Sequence, residues 1–268
     1  MFSETIKMKY ETLTTQVKNE IAYIILNRPE RLNSFDMKLG KELYDALKKI
    51  TKDNKIRALV IKGTGKGFCG GGDVKEMHKA KDKPKFLSEL TKKSIHKCVI
   101  EIRTMEKPVI AAVNGAAFGA GLSLALACDI IIAVKESKFC SAFINIGLAP
   151  GCGTQFFTKI VGYQKACEYI LTSKVFSAEE AKEIGIVNKV VKKEELDNIV
   201  EEYASKFRTL PPIAVGKAKM LINKSLENNM LDHLELESKT ASESAGSQDF
   251  KEGVAAFVEK RKPIFKGK

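Results

Sequence analysis

Short apolar runs alternating with helical stripes constrain the fold of this chain more than any other feature. Residues 12–17 and 21–26 read as strands, and Asn27-Arg28-Pro29-Glu30 ends the second. Leu39, Leu43, Ala46, Leu47 and Ile50 recur at helical spacing, which places them on one face. Residues 58–62 read as a further strand, 63–72 as a glycine-rich loop, and 90–105 as a long helix. That helix stops before Pro108, because a proline disfavours helical geometry in the residue preceding it. Residues 109–113 and 130–133 are apolar throughout and read as buried strands. Strands alternating with helices give β-α crossover units, and so an α/β core.

From about Thr154 the pattern turns helical. Ser177-Ala178-Glu179-Glu180 is a capping box that starts one helix. Leu196, Ile199, Val200, Tyr203, Ala204 and Phe207 make an amphipathic stripe for the next. Pro211-Pro212 opens another, and Phe250, Val254, Phe257 and Val258 line one face of the last. The expected organisation is an α/β core over residues 1–200 followed by a helical region over 201–268.

Composition narrows the function classes. The 268 residues, 44% of them hydrophobic, supply one sizeable core. No apolar run approaches the roughly 18 residues that span a bilayer. Residues 1–9 alternate charge with apolar side chains and lack a signal-peptide core. The expected setting is cytoplasmic, with no membrane partner. Six cysteines, at 69, 98, 128, 140, 152 and 167, include no CxxC pair, and only three histidines accompany them. Buried free thiols are expected, and no metal site. The net charge of +12 comes from scattered lysines, with an aromatic content of 7%. Such a surface suits solvent or a polyanionic partner, which a nucleotide-tailed ligand satisfies as well as nucleic acid does; of the two, nucleic acid is the less expected.

Two glycine-rich segments carry the chemistry. Phe68-Cys69-Gly70-Gly71-Gly72-Asp73 and Asn114-Gly115-Ala116-Ala117-Phe118-Gly119-Ala120-Gly121 each follow an apolar strand, and the second runs straight into a small-residue helix. Glycine lets a backbone approach a ligand closely. A helix start offers unpaired N–H groups and a positive dipole end. Two such donors aimed at one oxygen form an oxyanion hole. A competing match, Gly65-Lys66-Gly67-Phe68-Cys69-Gly70, fits GxGxxG. A dinucleotide fold needs a buriable helix next, and residues 73–85 are mostly charged.

With these residues in view, the chain resembles the enoyl-CoA hydratase/isomerase (crotonase) superfamily over nearly its whole length. The resemblance rests on Leu26-Asn27-Arg28-Pro29-Glu30-Arg31-Leu32-Asn33, both glycine loops, Lys107 through Asp129, Ser177 through Val187, and Asp249 through Arg261. It implies a spiral of ββα units with a helical C-terminal trimerisation region, assembled as a homotrimer or hexamer. It implies oxyanion donors at the N–H groups of Gly72 and Ala120, flanked by Gly70, Gly71 and Gly119. Arg31 and Lys75 would meet the coenzyme A phosphates and adenosine, and Phe143 would be among the residues that bind the substrate. Phe257 and Lys260 would reach the nucleotide of a neighbouring subunit. Coenzyme A enters as part of an acyl-CoA thioester substrate, with no tightly bound cofactor.

The resemblance breaks at the acid/base positions. Hydratases of the family carry two glutamates where this chain has Ser123 and Phe143. The isomerase branch, which the chain resembles best, carries a carboxylate after the loop proline, where Gly151 follows Pro150. The stretch after Pro150 is also one residue short. Ser123, Asn145 and His96 remain as candidate catalytic side chains, while Asp73 is expected to brace its loop and Asp129 to be structural. Cys140 and Cys152 flank the site and are expected to be inert. Two functions follow. One is double-bond isomerisation or hydration of an enoyl-CoA through an enolate, with non-standard acid/base groups. The other is a non-catalytic relative that binds acyl-CoA or RNA.

Overall fold

The computed structural model describes residues 10–268. The expectation about a signal-peptide core falls on residues 1–9, outside the described part.

The large sheet has six strands in the order β1-β2-β3-β5-β7-β10. These are β1 (Leu13–Lys18), β2 (Ile21–Leu26), β3 (Ala58–Gly63), β5 (Val109–Val113), β7 (Ile130–Val134) and β10 (Lys189–Val191). β1 and β2 form an antiparallel hairpin, and every other neighbouring pair is parallel. A smaller sheet runs β4-β6-β8-β9, with β4 (Gly67–Cys69), β6 (Ala116–Phe118), β8 (Lys138–Cys140) and β9 (Phe176–Ser177).

The two sheets alternate along the chain. β3 hands over to β4, β5 to β6 and β7 to β8, and a helical segment follows each pair before the chain returns to the large sheet. That is a spiral of ββα units, as expected. β4 lies parallel to β6, so the segments leaving these two strands emerge side by side. This adjacency brings the two glycine loops together.

Burial follows the pleat. Leu59, Ile61, Val109, Ala111 and Val113 face a core shared with α1 (Met37–Lys52), α4 (His96–Thr104) and α5 (Ala120–Ala127). Ala58, Val60, Ile110, Ala112, Ile132 and Val134 face the other way, under α9 (Leu196–Lys206). All eight residues of α5 are buried, and its small side chains are a packing requirement. A β-carbon at Gly121 would overlap the Cys69 carbonyl oxygen, so α5 rests directly on the β4 backbone.

The helical region is α10 (Pro212–Ser225), α11 (Met230–Ala245) and α12 (Gln248–Val258). A buried ammonium fastens it to the core. Lys219 Nζ donates to the carbonyls of Ile102 at 2.8 Å and Lys107 at 3.0 Å, and lies 2.7 Å from the Asp129 carboxylate. Asp129 also accepts from Val109 N at 2.8 Å, the structural role expected of it. Phe257, 86% exposed, lies with Val258 on an apolar face that this single chain leaves uncovered.

Several expectations need correction. The stretch 63–72 is not all loop, because Gly67–Cys69 pair as β4. The charged stretch after it contains α2 (Val74–Lys79), started by Asp73. The long helix begins earlier, as α3 (Lys83–Leu90), and passes through a π turn at Thr91–Ile95 before α4. After residue 154 the chain is not purely helical. Between α6 (Thr154–Val161), α7 (Tyr163–Leu171) and α8 (Ala178–Glu183) on one side and α9 on the other, β10 adds an edge to the large sheet.

Candidate active site

The first glycine loop is held from both sides. Phe35 N donates to Gly71 O at 2.6 Å, and Asp73 N donates to Phe35 O at 2.8 Å. This parallel bridge pairs Phe35 with Gly72 through the peptides flanking Gly72, so the N–H of Gly72 points to the opposite side. Gly71 has φ +100°, and a β-carbon there would sit 2.8 Å from Phe118 O, so only glycine fits. Asp73, 4% exposed, accepts from Lys75 N at 3.1 Å and Glu76 N at 3.3 Å, while Arg28 Nη2 lies 3.1 Å from its other oxygen. Asp73 therefore caps α2 and braces the loop.

The second donor comes from the start of α5. Gly119 precedes the helix with φ 51°, ψ −118° and offers no side-chain cap. Ala120 is the first helical residue, so its N–H has no partner within the helix. Among the described residues, no backbone acceptor meets either the Gly72 or the Ala120 N–H.

Gly70, Gly71, Gly72, Gly119 and Ala120 all line one cavity of about 270 Å³. Its walls are otherwise apolar, built from Met77, Leu87, Leu90, Phe118, Phe143 and Leu148, with Thr91, Asn145 and Cys152 as the polar side chains. Leu87 and Leu90 come from α3, and Thr91 from the π turn, an irregularity frequent at functional sites.

The remaining predicted residues divide. Asn145 and Phe143 line the cavity. Ser123, 2% exposed, lies behind it, with Oγ 3.1 Å from Gly119 O and 3.0 Å from Cys152 O. His96 does not line it. Its Nε2 donates to Gly151 O at 2.7 Å and so holds the loop beyond Pro150. Arg31 and Lys75 are near the first glycine loop: Gly70 N donates to the carbonyl of Leu32, and Lys75 follows the cavity-lining Val74. Phe257 is not brought to this cavity within one chain. It lines a separate depression with Phe250 and Phe265, and Lys260 stands just beyond α12.

The dinucleotide reading of Gly65, Gly67 and Gly70 is not supported by the geometry. Gly67 is inside β4, paired with Ala116, and Gly65 turns the chain between β3 and β4.

The thiols also divide. Burial pushes Cys69 up to about 12. Cys140 is buried, raised by desolvation, and donates to Ser173 O at 3.2 Å, in keeping with an inert role. Cys152 lines the cavity. Burial pushes its thiol up to about 11, with the Ser123 hydroxyl acting in the opposite direction. A β-carbon at Gly153 would overlap the Ser123 side chain, so the loop after Pro150 fills the space above that residue.

Sequence reasoning missed the wall supplied by Met77, Leu87, Leu90 and Thr91, because the short α2 and the π turn leave no clear periodic signature. Cys152 carried one readable signal, a glycine on each side.

Known proteins match both the fold and the site-bearing segments. The enoyl-CoA hydratase/isomerase family profile matches residues 16–268. The 1,2-epoxyphenylacetyl-CoA isomerase of Escherichia coli is 38% identical over 261 residues, covering 96% of this chain and 99% of the relative. The mitochondrial enoyl-CoA hydratase of Pongo abelii is 39% identical, covering 92% and 84%. Among solved structures, the enoyl-CoA hydratase of Bacillus anthracis superposes with a TM-score of 0.92 at 32% identity, covering 96% of this chain and 100% of that one. The chain belongs to the enoyl-CoA hydratase/isomerase family, with the crotonase fold.

Proposed function

We propose that this protein is an acyl-CoA enzyme that moves a double bond within an enoyl thioester through an enolate held by the N–H groups of Gly72 and Ala120. The observation that carries this reading is the pair of donors without backbone acceptors opening on a single apolar cavity. Negative charge developing on a thioester oxygen between them meets fixed dipoles that need no reorganisation, and one such donor typically contributes about 100- to 1000-fold in rate.

The walls fit a neutral acyl group. Among the described residues that line the cavity there is no Lys, Arg or His to pair with a carboxylate on the acyl chain. There is also no Asp or Glu among them, and holding and splitting a water for hydration normally employs such a pair. Double-bond migration needs only a proton moved between two carbons. Arg31 and Lys75 are the side chains we assign to the coenzyme's phosphates. Phe257 and Lys260 would serve the same coenzyme across a subunit boundary, in a homotrimer or hexamer.

A panel of 3-enoyl, 2-enoyl and ring-containing CoA esters tests the reading. Conversion of 3-enoyl to conjugated 2-enoyl esters, faster than hydration of the latter, is the expected result. The carboxylate-free lining also favours a second reading, an acyl-CoA binder without turnover. Tight calorimetric binding of CoA esters with no conversion of any of them would select it.

A further inference from the structure

We propose that the Cys152 thiol is the acid/base group of this cavity, shuttling one proton from the carbon beside the thioester to the carbon two positions further along the acyl chain. The proposal rests on the enolate reading of the same cavity and names the group that reading lacks.

Three observations converge on Cys152. First, among the described residues lining the cavity it is the one with a titratable side chain; Thr91 and Asn145, the other polar groups, neither take up nor give up protons in the ordinary pH range. Second, its backbone is gripped at successive carbonyls by two helices. His96 on α4 holds Gly151 O at 2.7 Å, and Ser123 on α5 lies 3.0 Å from Cys152 O. Third, Ser123 Oγ also lies 3.1 Å from Gly119 O, one residue before the Ala120 donor. One side chain thus ties the backbone of the thiol-bearing loop to the residue before the Ala120 donor, fixing the two relative to each other.

The flanking glycines make the approach possible. Gly153 has φ +81°, and a β-carbon at Gly151 would sit 3.2 Å from Thr91 Cγ2. Around Cys152, α5 presents Ser123, β4 presents the buried thiol of Cys69, and α4 presents His96, engaged with Gly151 O. Burial pushes the thiol up to about 11, so it rests protonated at neutral pH.

The step balances without water or an oxidant. The thiolate form takes the α-proton of a 3-enoyl thioester. The C–H pair becomes a bond to the carbonyl carbon, and the carbonyl π pair moves onto the oxygen between Gly72 and Ala120. The thiol then gives the proton to the γ-carbon. The oxygen pair reforms the carbonyl, the double bond settles between the α and β carbons, and the thiolate is regenerated.

The test measures kcat and KM for 3-enoyl-CoA isomerisation from pH 7 to 10, with calorimetric Kd for a saturated acyl-CoA as a check of the cavity. Wild type should gain about tenfold in kcat per pH unit, because the thiolate fraction grows tenfold below its pKa. Cys152→Ala should lose about 100- to 10,000-fold in kcat with Kd unchanged, the usual span for a general base. Cys152→Asp should recover part of the loss and flatten the pH profile. Where a variant fails to bind the saturated ester, iodoacetamide on wild type replaces it; inactivation should track alkylation of Cys152 and be blocked by that ester. Turnover by Cys152→Ala within about threefold of wild type, a flat wild-type pH profile, or full activity after alkylation at Cys152 would overturn the proposal and leave the enolate reading standing. Absence of any wild-type turnover would overturn both.

Discussion

The Ser123 hydroxyl lies 3.0 Å from the Cys152 carbonyl oxygen, joining α5, which starts at the cavity-lining Ala120, to the loop that carries Gly151 and Cys152 along the same cavity. Its single proton is shared with Gly119 O at 3.1 Å. Ser123→Ala removes that tie. Loss of one buried hydrogen bond predicts a stability decrease of about 1 kcal/mol in urea unfolding. Turnover should fall about tenfold, as the loop and the α5 start lose a common reference. Ser123→Glu, which introduces a carboxylate behind the cavity, should not create hydration, because the Gly153 segment occupies the space it needs.

Gly71→Ala tests the loop geometry directly. The substitution places a methyl 2.8 Å from Phe118 O at φ +100°. Relief of that clash must rotate the adjoining Gly72 peptide away from the cavity. Turnover is expected to drop about 100- to 1000-fold, the value of one oxyanion donor. Steady-state kinetics alongside circular dichroism separates this from unfolding.

Lys219 and Asp129 form the buried ion pair that holds α10 to the core, at 2.7 Å. Burial opposes charge on both partners, raising the carboxyl and lowering the ammonium. Lys219→Met removes one partner and strands the other carboxylate along with the Ile102 and Lys107 carbonyls. A loss of roughly 3–5 kcal/mol is expected in chemical denaturation.

Acid sensitivity should arise in part at Glu42. Burial acts to raise its carboxyl, but hydrogen bonds from Thr12 Oγ1 and N, Glu11 N, and the charge of Lys38 prevail and hold it below its usual range. A lowered folded value stabilises the fold above the ordinary carboxylate value of about 4.5, and that contribution is lost as pH falls through the lowered one. Glu42→Gln should cost about 1 kcal/mol or less at pH 7, since the site is partly solvated. Its stability should also decline less steeply than wild type below pH 4.5, as read by urea midpoints across pH 3–7.

Phe257 is 86% exposed in the single chain. If it packs against a neighbouring subunit's coenzyme site, light scattering will report a trimer or hexamer. Phe257→Asp will then lower the mass or weaken acyl-CoA binding while leaving unfolding of the α/β core unchanged.

Legibility from sequence followed the physics of each element. β5 was readable because five consecutive apolar residues buried on both faces leave a continuous signal, and β2 because its six hydrophobic residues are buried or half-buried throughout. Asp73 was readable as a brace because a short carboxylate before a helix start has few other uses. β4 and β10 were not, since three residues carry no period. His96 misled because a histidine on a helix states nothing about its direction, which here is toward Gly151 O. Cys152 was readable as a neighbour of the site, which its place on the cavity wall bears out, but the direction of its side chain depends on the path of a loop fixed by contacts from two distant helices.

The central claim is best tested by isotope-edited infrared spectroscopy of a saturated acyl-CoA carrying ¹³C at the thioester carbonyl, bound to the wild-type protein. Donation from both Gly72 and Ala120 predicts a carbonyl stretch moved clearly below its frequency in water, and a smaller displacement in Gly71→Ala. A bound ester absorbing at its free-solution frequency would contradict the account.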